Sequence, residues 1–203
     1  MKVKIKKEGK KKTYNLIDSW SDVSLEKWII LIEKETGSKI EEAEETIAAL
    51  SDMPKNLIKE LALKDVVIIM SKVAELQSKQ DTVLKKVIEV NGVEYGMHPN
   101  LSEITLGEYA DIESLIKEGL EKNMPELMAI LFRPIIERSE TNNEVYTIEA
   151  YDGNIQLRAE EMKQMSAEQV QSALVFFCPF VIQLLNSFQS FLKIRTQEME
   201  KQE

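Results

Sequence analysis

Residues Ile104–Ile136, ITLGEYADIESLIKEGLEKNMPELMAILFRPII, decide the fold class of this chain. Thr105 is expected to be a helix N-cap, because its hydroxyl can accept a first-turn amide while Glu108 reaches back to the amide of the cap itself. Apolar residues then recur at the helical period, and Gly119 is a suitable end for the helix. The pattern predicts an amphipathic helix from Thr105 to Gly119.

A second helix is predicted directly after the first. Pro125 fits the first turn of a helix, where its missing N–H costs nothing, and Pro134 is expected to end it. The residues between them are apolar on most sides: Leu127, Met128, Ile130, Leu131 and Phe132. We therefore expect a buried helix that packs antiparallel to the first one.

The charge of the chain is unevenly distributed. The 203 residues carry a formal net charge of −9, yet residues 1–12 contain seven lysines and one glutamate, which leaves −15 for the rest. An acidic body argues against nucleic acid as a partner, because phosphate attraction needs a positive surface. The single cysteine, Cys178, excludes an internal disulfide, and the lysine-rich N-terminus is not expected to be a signal peptide.

Two β-hairpins are predicted, each followed by a capped helix. Residues 2–17 alternate polar and apolar side chains around Glu8-Gly9-Lys10, and Asn91-Gly92 is a strong type I′ turn signal inside residues 87–95. The segments that follow, Ser21–Trp28 and Ser102–Tyr109, share the pattern serine, acid, Val or Ile, Ser or Thr, Leu. A hairpin-plus-helix (ββα) unit is thus predicted twice, although any capping box after a hairpin would look similar.

The predicted fold class is α+β and mostly helical. Two ββα units are joined by long connecting helices, over residues 40–50 and 56–80, and a C-terminal apolar helix follows a strand at residues 145–151. We expect an N-terminal hairpin and helical region in residues 1–80. Residues 81–203 are expected to form the second unit, with the helical hairpin, the strand and the apolar helix.

The last predicted helix begins with a capping box at Ser166 and Gln169. Residues 169–192 contain no charge, which raises the possibility of a membrane span. Polar residues and Pro179 interrupt the segment, and its continuous apolar part is about 10 residues, where a span needs roughly 20. A buried, proline-kinked helix or an oligomer interface is therefore favoured over a membrane span.

The sequence offers few residues for catalysis. His98 is the only histidine, so neither a histidine zinc cluster nor a conventional catalytic triad can form within the chain. Cys178 lies among phenylalanines and is expected to be a buried, inert thiol. Asp111, Glu108 and Arg133 are the best polar residues near the predicted core, and a buried pair of Arg133 with Asp111 would be structural by default. We predict a protein that is no enzyme and binds no cofactor or metal, with structural roles for Thr105, Glu108, Tyr109, Asp111 and Arg133.

Residues 87–180 resemble a group of tailed-bacteriophage proteins, the tail or baseplate-hub assembly chaperones and related small virion proteins. The resemblance rests on NGVEYGMHPNLSEITLGEYADIE, then MPELMAILFRPI, a strand with Tyr146 and Tyr151, and MSAEQVQSALVFF. It implies a non-enzymatic protein that acts in the cytoplasm of the infected bacterium, binding a tail, baseplate or other virion component.

Large apolar residues near the C-terminus are the candidate partner-binding surface, because one helix of a small domain cannot bury them all. They are Phe176, Phe177, Phe180, Leu184, Phe188 and Phe191. Alternatives remain open: a structural protein kept in the virion as a ring, hub or tail component, an adaptor that uses the lysine hairpin on DNA or a membrane surface, an enzyme, and a homo-oligomer.

Overall fold

A computed structural model describes residues 2–7, 10–33, 38–78, 83–139, 141–142 and 145–182. The chain is α+β, about 56% helical, with two small sheets. This coarse class was predicted from the periodicity of the sequence, and the structure confirms it.

The first sheet is an antiparallel hairpin of β1 (Lys2–Lys7) and β2 (Lys10–Asn15), paired from Lys2 opposite Asn15 to Lys7 opposite Lys10. Val3 and Ile5 are buried while Lys2 and Lys4 are exposed. The alternation in the sequence therefore corresponds to an apolar inner face and a lysine outer face.

Four helices follow the hairpin: α1 (Leu25–Glu33), α2 (Lys39–Leu50), α3 (Lys55–Ile58) and α4 (Leu63–Ser78). The prediction of one helix over residues 56–80 is wrong, because the helix is interrupted between the end of α3 and the start of α4. Both pieces contact α2. An unbroken helix would be about twice as long as α2 and could not pack along it over its whole length.

The second sheet has four antiparallel strands in the order β3 (Val87–Val90), β4 (Val93–Met97), β5 (Phe132–Arg138) and β6 (Tyr146–Ile148). The β3–β4 turn has positive φ at both central residues, 52° at Asn91 and 78° at Gly92. Those two residue types tolerate this conformation, so the predicted hairpin is confirmed.

Helices α5 (Leu106–Gly119) and α6 (Met124–Leu131) connect β4 to β5. Gly119 ends α5 with φ of 115° and a proline lies in the first turn of α6, as predicted. The predicted end of α6 at Pro134 is wrong, because α6 ends at Leu131 and Pro134 lies inside β5. A residue before proline avoids the helical conformation, so Arg133 must already be extended.

Two further helices complete the described chain, α7 (Ile155–Met162) and α8 (residues 167–182). The capping box of α8 is confirmed: Ser166 N–H donates to Gln169 Oε1 at 2.9 Å, and Gln169 N–H donates to Ser166 Oγ at 3.2 Å. Among the described residues no helix is both long and apolar enough to cross a bilayer.

Two apolar cores meet where residues 23–26 contact residues 163–167. Leu25 N–H donates to the Met165 carbonyl and Ala167 N–H to the Val23 carbonyl, each at 2.7 Å. Leu25 belongs to the core that surrounds α6, whereas Ala167 belongs to the core beneath the N-terminal hairpin. The N-terminal part of the chain thus contributes Leu25 to the core around α6, and the C-terminal part contributes Ala167 to the core beneath the hairpin.

Candidate functional site

The side of α8 that faces away from the core is a continuous apolar strip. Val175, Pro179 and Ile182 are spaced at i, i+4 and i+7 and so share one side of the helix, with Phe176 beside them. Val175, Phe176 and Ile182 are exposed to 57%, 54% and 61%, and Pro179 is exposed as well. We call these four residues the apolar strip.

The structure separates the residues that were predicted to bind a partner. Phe176 is exposed and Phe180 is half-buried, but Phe177 is 1% exposed and lies in the core with Val170, Ala173 and Val181. Successive residues of an α-helix are rotated by about 100° around its axis, so Phe177 faces the core while Phe176 faces solvent. Predicting Phe177 as a contact residue was therefore wrong. Leu184, Phe188 and Phe191 lie outside the described residues.

Cys178 is exposed, which contradicts the expectation of a buried thiol. The apolar neighbours in the sequence misled that prediction, because successive helix residues face different directions. On α8 Phe177 is buried, and the side chain of the next residue, Cys178, points into solvent.

A groove of about 530 Å³ lies beside the apolar strip. One part of its lining consists of Phe176, Pro179 and Phe180 from α8, and another wall is residues 97–102, which begin at the last residue of β4 and include His98 and Leu101. We call this the His98 groove. It combines apolar walls with a few polar groups, a composition typical of binding clefts.

Tyr146 lies at the edge of the groove and crosses the sheet over Gly96. Its hydroxyl donates to the Met97 carbonyl at 2.8 Å and to the Lys86 carbonyl at 3.1 Å. A Cβ added at Gly96 would lie 2.7 Å from Cδ2 of the Tyr146 ring, closer than real contacts allow. Glycine at this position is therefore what lets the tyrosine cross.

A buried charged cluster lies behind the His98 groove, with Glu108 at its centre. Glu108 is 1% exposed, and its Oε2 accepts hydrogen bonds from Thr105 N at 2.7 Å and from Thr105 Oγ1 at 2.8 Å. Thr105 Oγ1 in turn accepts from Glu108 N at 3.2 Å, which confirms the predicted capping box. One carboxylate oxygen therefore stabilises the start of α5.

The other oxygen of Glu108 faces Arg133, whose Nη2 lies 2.8 Å from Oε1. At this distance the two groups form a buried salt bridge. Arg133 is 4% exposed, and its guanidinium carbon lies 5.8 Å from the centre of the Tyr151 ring, within cation–π range. Burial lowers the pKa of Arg133 and Glu108 opposes that shift. The guanidinium thus has one buried counter-ion and one aromatic face.

The partner of Arg133 is Glu108 and not Asp111, the carboxylate considered from the sequence. Asp111 lies one helical turn after Glu108 and instead accepts a hydrogen bond from the Tyr151 hydroxyl. Burial, followed by this hydrogen bond, raises the pKa of Tyr151. Glu108 takes the position next to Arg133 because it lies on the more buried side of α5. Tyr109, also predicted to be structural, is half-buried in the same helix, and burial raises its pKa.

His98 joins the cluster to the groove, because it lines the groove while its Nε2 lies 3.7 Å from Glu108 Oε1. Its Nδ1 accepts from Asn100 N–H at 3.3 Å, which places the proton of the neutral ring on Nε2, towards Glu108. Burial lowers the pKa of His98, with Glu108 raising it and Arg133 lowering it to smaller extents. The groove therefore presents a neutral imidazole at neutral pH.

The arrangement suits binding of an apolar side chain between α8 and residues 97–102. Within the described ranges no group of three or more His, Cys, Asp or Glu residues is placed to hold a metal ion. Gly96 and Arg158 were not among the predicted site residues. Glycine inside a strand was the available signal for Gly96. Arg158, which lies on the unpredicted helix α7 and is 3.2 Å from Glu149, had no comparable signal.

Comparison with protein-family models, with curated proteins and with solved structures finds no match to this chain.

Proposed function

We propose that this protein is a non-enzymatic morphogenesis protein of a tailed bacteriophage, an assembly chaperone that binds a tail or baseplate component. The observation that supports the proposal is the apolar strip of α8 beside the His98 groove. Phe176 belongs to both features, so a partner could cover the strip and insert an apolar side chain into the groove. Central aromatic residues of this kind contribute most of the binding energy at many interfaces.

A chaperone of this type covers an apolar surface of its partner until assembly. Exposed apolar residues grouped on one helix side usually mark an interaction surface, whereas single exposed residues need no explanation. The strip groups several of them within one helical stripe, and all of them except Ile182 lie in the segment that the resemblance includes. On this proposal the protein acts in the cytoplasm of the infected cell and needs neither a cofactor nor a catalytic residue.

We also propose that the two hairpin-and-helix segments are an internal duplication. In each, a short 3-10 turn precedes the helix and begins with a side-chain cap: Ser19 Oγ accepts from Ser21 N–H, and Asn100 Oδ1 accepts from Ser102 N–H. Equivalent caps at equivalent places support a common origin. The boundary near residue 80 is part of this proposal.

The experiment that tests the function is quantitative mass spectrometry of infected-cell lysate and of purified virions. Abundance in lysate with absence from virions is expected for a chaperone. A fixed copy number in virions would refute the chaperone proposal and favour a retained structural component.

A second experiment tests the surface by purifying a tagged chain from infected cells. We expect a tail or baseplate protein to co-purify, and Phe176→Asp to abolish its recovery. Leu157→Asp is the matched control, because Leu157 is a 72% exposed apolar residue on α7, away from the strip. Equal loss with both variants, or no loss with either, would refute the proposed surface.

A further inference from the structure

The free edge of β1 forms a second groove, on a different part of the molecule. Its volume is about 350 Å³, and it is lined by residues 2–5 of β1 and by Asp65, Ile68 and Lys72 of α4. Successive strand residues point to opposite faces, so a groove that touches four in a row runs along the strand edge. Asp65, Ile68 and Lys72 are spaced at i, i+3 and i+7 and form one stripe of α4. We call this the edge groove.

The edge groove has the polar groups that an added strand requires. Among the described residues β1 pairs only with β2, so alternate N–H and C=O groups of β1 lie on an edge with no neighbouring strand, and α4 lines the groove at that edge. The opposite wall is partly apolar, because Ile68 is 52% exposed. Residues 2–5 extend over about 13 Å, which is enough for a short segment to pair with.

The charged residues that line the edge groove favour an acidic binding partner. Lys2 and Lys4 are exposed on the outer face of β1, Lys72 lines the opposite wall, and Asp65 is the acidic residue in the lining. Lysines on an edge repel a second basic strand, so another copy of this hairpin is disfavoured. An acidic strand would instead place its carboxylates opposite lysines across the pair.

We infer that the edge groove binds an extended acidic segment of a partner protein as a third strand beside β1. The alternation of β1 specifies the pattern of that segment. Its outward side chains are acidic and adjoin Lys2 and Lys4, and its inward side chains are apolar and adjoin Ile68. The inference does not depend on α8 or on the proposed function, because the edge groove and the apolar strip share no residue.

Fluorescence anisotropy with the labelled peptide Glu-Val-Glu-Val-Glu-Val tests the inference on the full chain. We expect saturable binding, weakened by about tenfold or more in Lys2→Glu/Lys4→Glu, since two attractive cross-strand pairs become repulsive. Ile68→Asp is expected to weaken binding as well, because it replaces the apolar wall with a like charge. Lys27→Glu/Lys122→Glu changes the net charge equally at exposed positions elsewhere and should leave affinity within about twofold.

Backbone pairing is tested with two further peptides, one N-methylated at every valine and the other at every glutamate. A strand uses alternate amides towards its neighbour, so only one of them should lose binding. Equal binding of both, equal binding of Glu-Glu-Glu-Val-Val-Val, or no binding of the parent peptide at about 1 mM would overturn the inference. Displacement of the peptide by a single-stranded DNA hexamer, with a DNA affinity that Ile68→Asp does not change, would also overturn the inference. The groove would then be a general binding site for polyanions.

Discussion

Replacing Glu108 with alanine tests the buried charged cluster most directly. The change removes both roles of the carboxylate, the cap on Thr105 and the counter-charge of Arg133. Arg133 is 4% exposed, so its guanidinium would stay buried without its 2.8 Å counter-ion. Removing one member of a buried pair typically costs about 3–5 kcal/mol, and losing a cap costs about 1 kcal/mol.

Matched variants separate the two contributions to the free energy of unfolding. Thr105→Ala removes the hydroxyl of the cap but leaves the ion pair, so it should cost about 1 kcal/mol. Glu108→Gln/Arg133→Met removes both charges while keeping similar side-chain volumes, and it should recover most of the stability lost in Glu108→Ala. The double variant should therefore be more stable than Glu108→Ala alone.

Urea denaturation at neutral pH, followed by far-ultraviolet circular dichroism, measures these differences by linear extrapolation. A loss in Glu108→Ala no larger than in Thr105→Ala would refute the reasoning, because it would mean that Arg133 recovers its solvation. A double variant as unstable as Glu108→Ala would also refute it, since the loss could then not come from an unpaired charge.

Three further predictions concern the groove and α8. Gly96→Ala should lower the free energy of unfolding by about 1–3 kcal/mol, because the new Cβ displaces the Tyr146 ring; denaturation checks this. Burial lowers the pKa of His98, so the unfolded chain takes up its proton first. The contribution of neutral His98 to the free energy of unfolding should be fully present above about pH 6.5 and fall as the pH falls towards the folded-state pKa. His98→Gln should therefore flatten the pH dependence of the denaturation midpoint. Phe177→Ala should cost about 3–5 kcal/mol and Phe176→Ala less than about 0.5 kcal/mol, measured by denaturation under identical conditions.

Local signals explain which parts of the fold could be predicted. The capping boxes at Thr105 and Ser166 and the Asn91-Gly92 turn depend on residues within a few positions of one another, and all are present. The end of α6 could have been predicted from the same kind of local signal. Pro134 constrains the residue before it, and applying that rule would have placed Arg133 in a strand.

Contacts between distant segments could not be read from the sequence. Asp111 and Glu108 both precede Arg133 by a similar distance and lie one turn apart on α5, so either carboxylate could have been its partner. The choice follows from which side of α5 faces the core, where Glu108 is buried and Asp111 is only half-buried. The division of Phe176 from Phe177 likewise depends on which side of α8 meets the core, and two adjacent phenylalanines give no indication of it.

The charged cluster contacts one wall of the His98 groove and also the N-cap of the helix that follows it. Residues 97–102 form that wall, with His98 near its start and Thr105 just beyond its end. Glu108 Oε1 lies 3.7 Å from His98 Nε2, while Oε2 accepts the hydrogen bonds of Thr105. Glu108 therefore contacts His98 in this wall and Thr105 beyond it, and Arg133 lies beside its carboxylate as a buried counter-ion. Since a buried ion pair contributes little net stability over an apolar pair, positioning this wall is the role that best accounts for placing charge here.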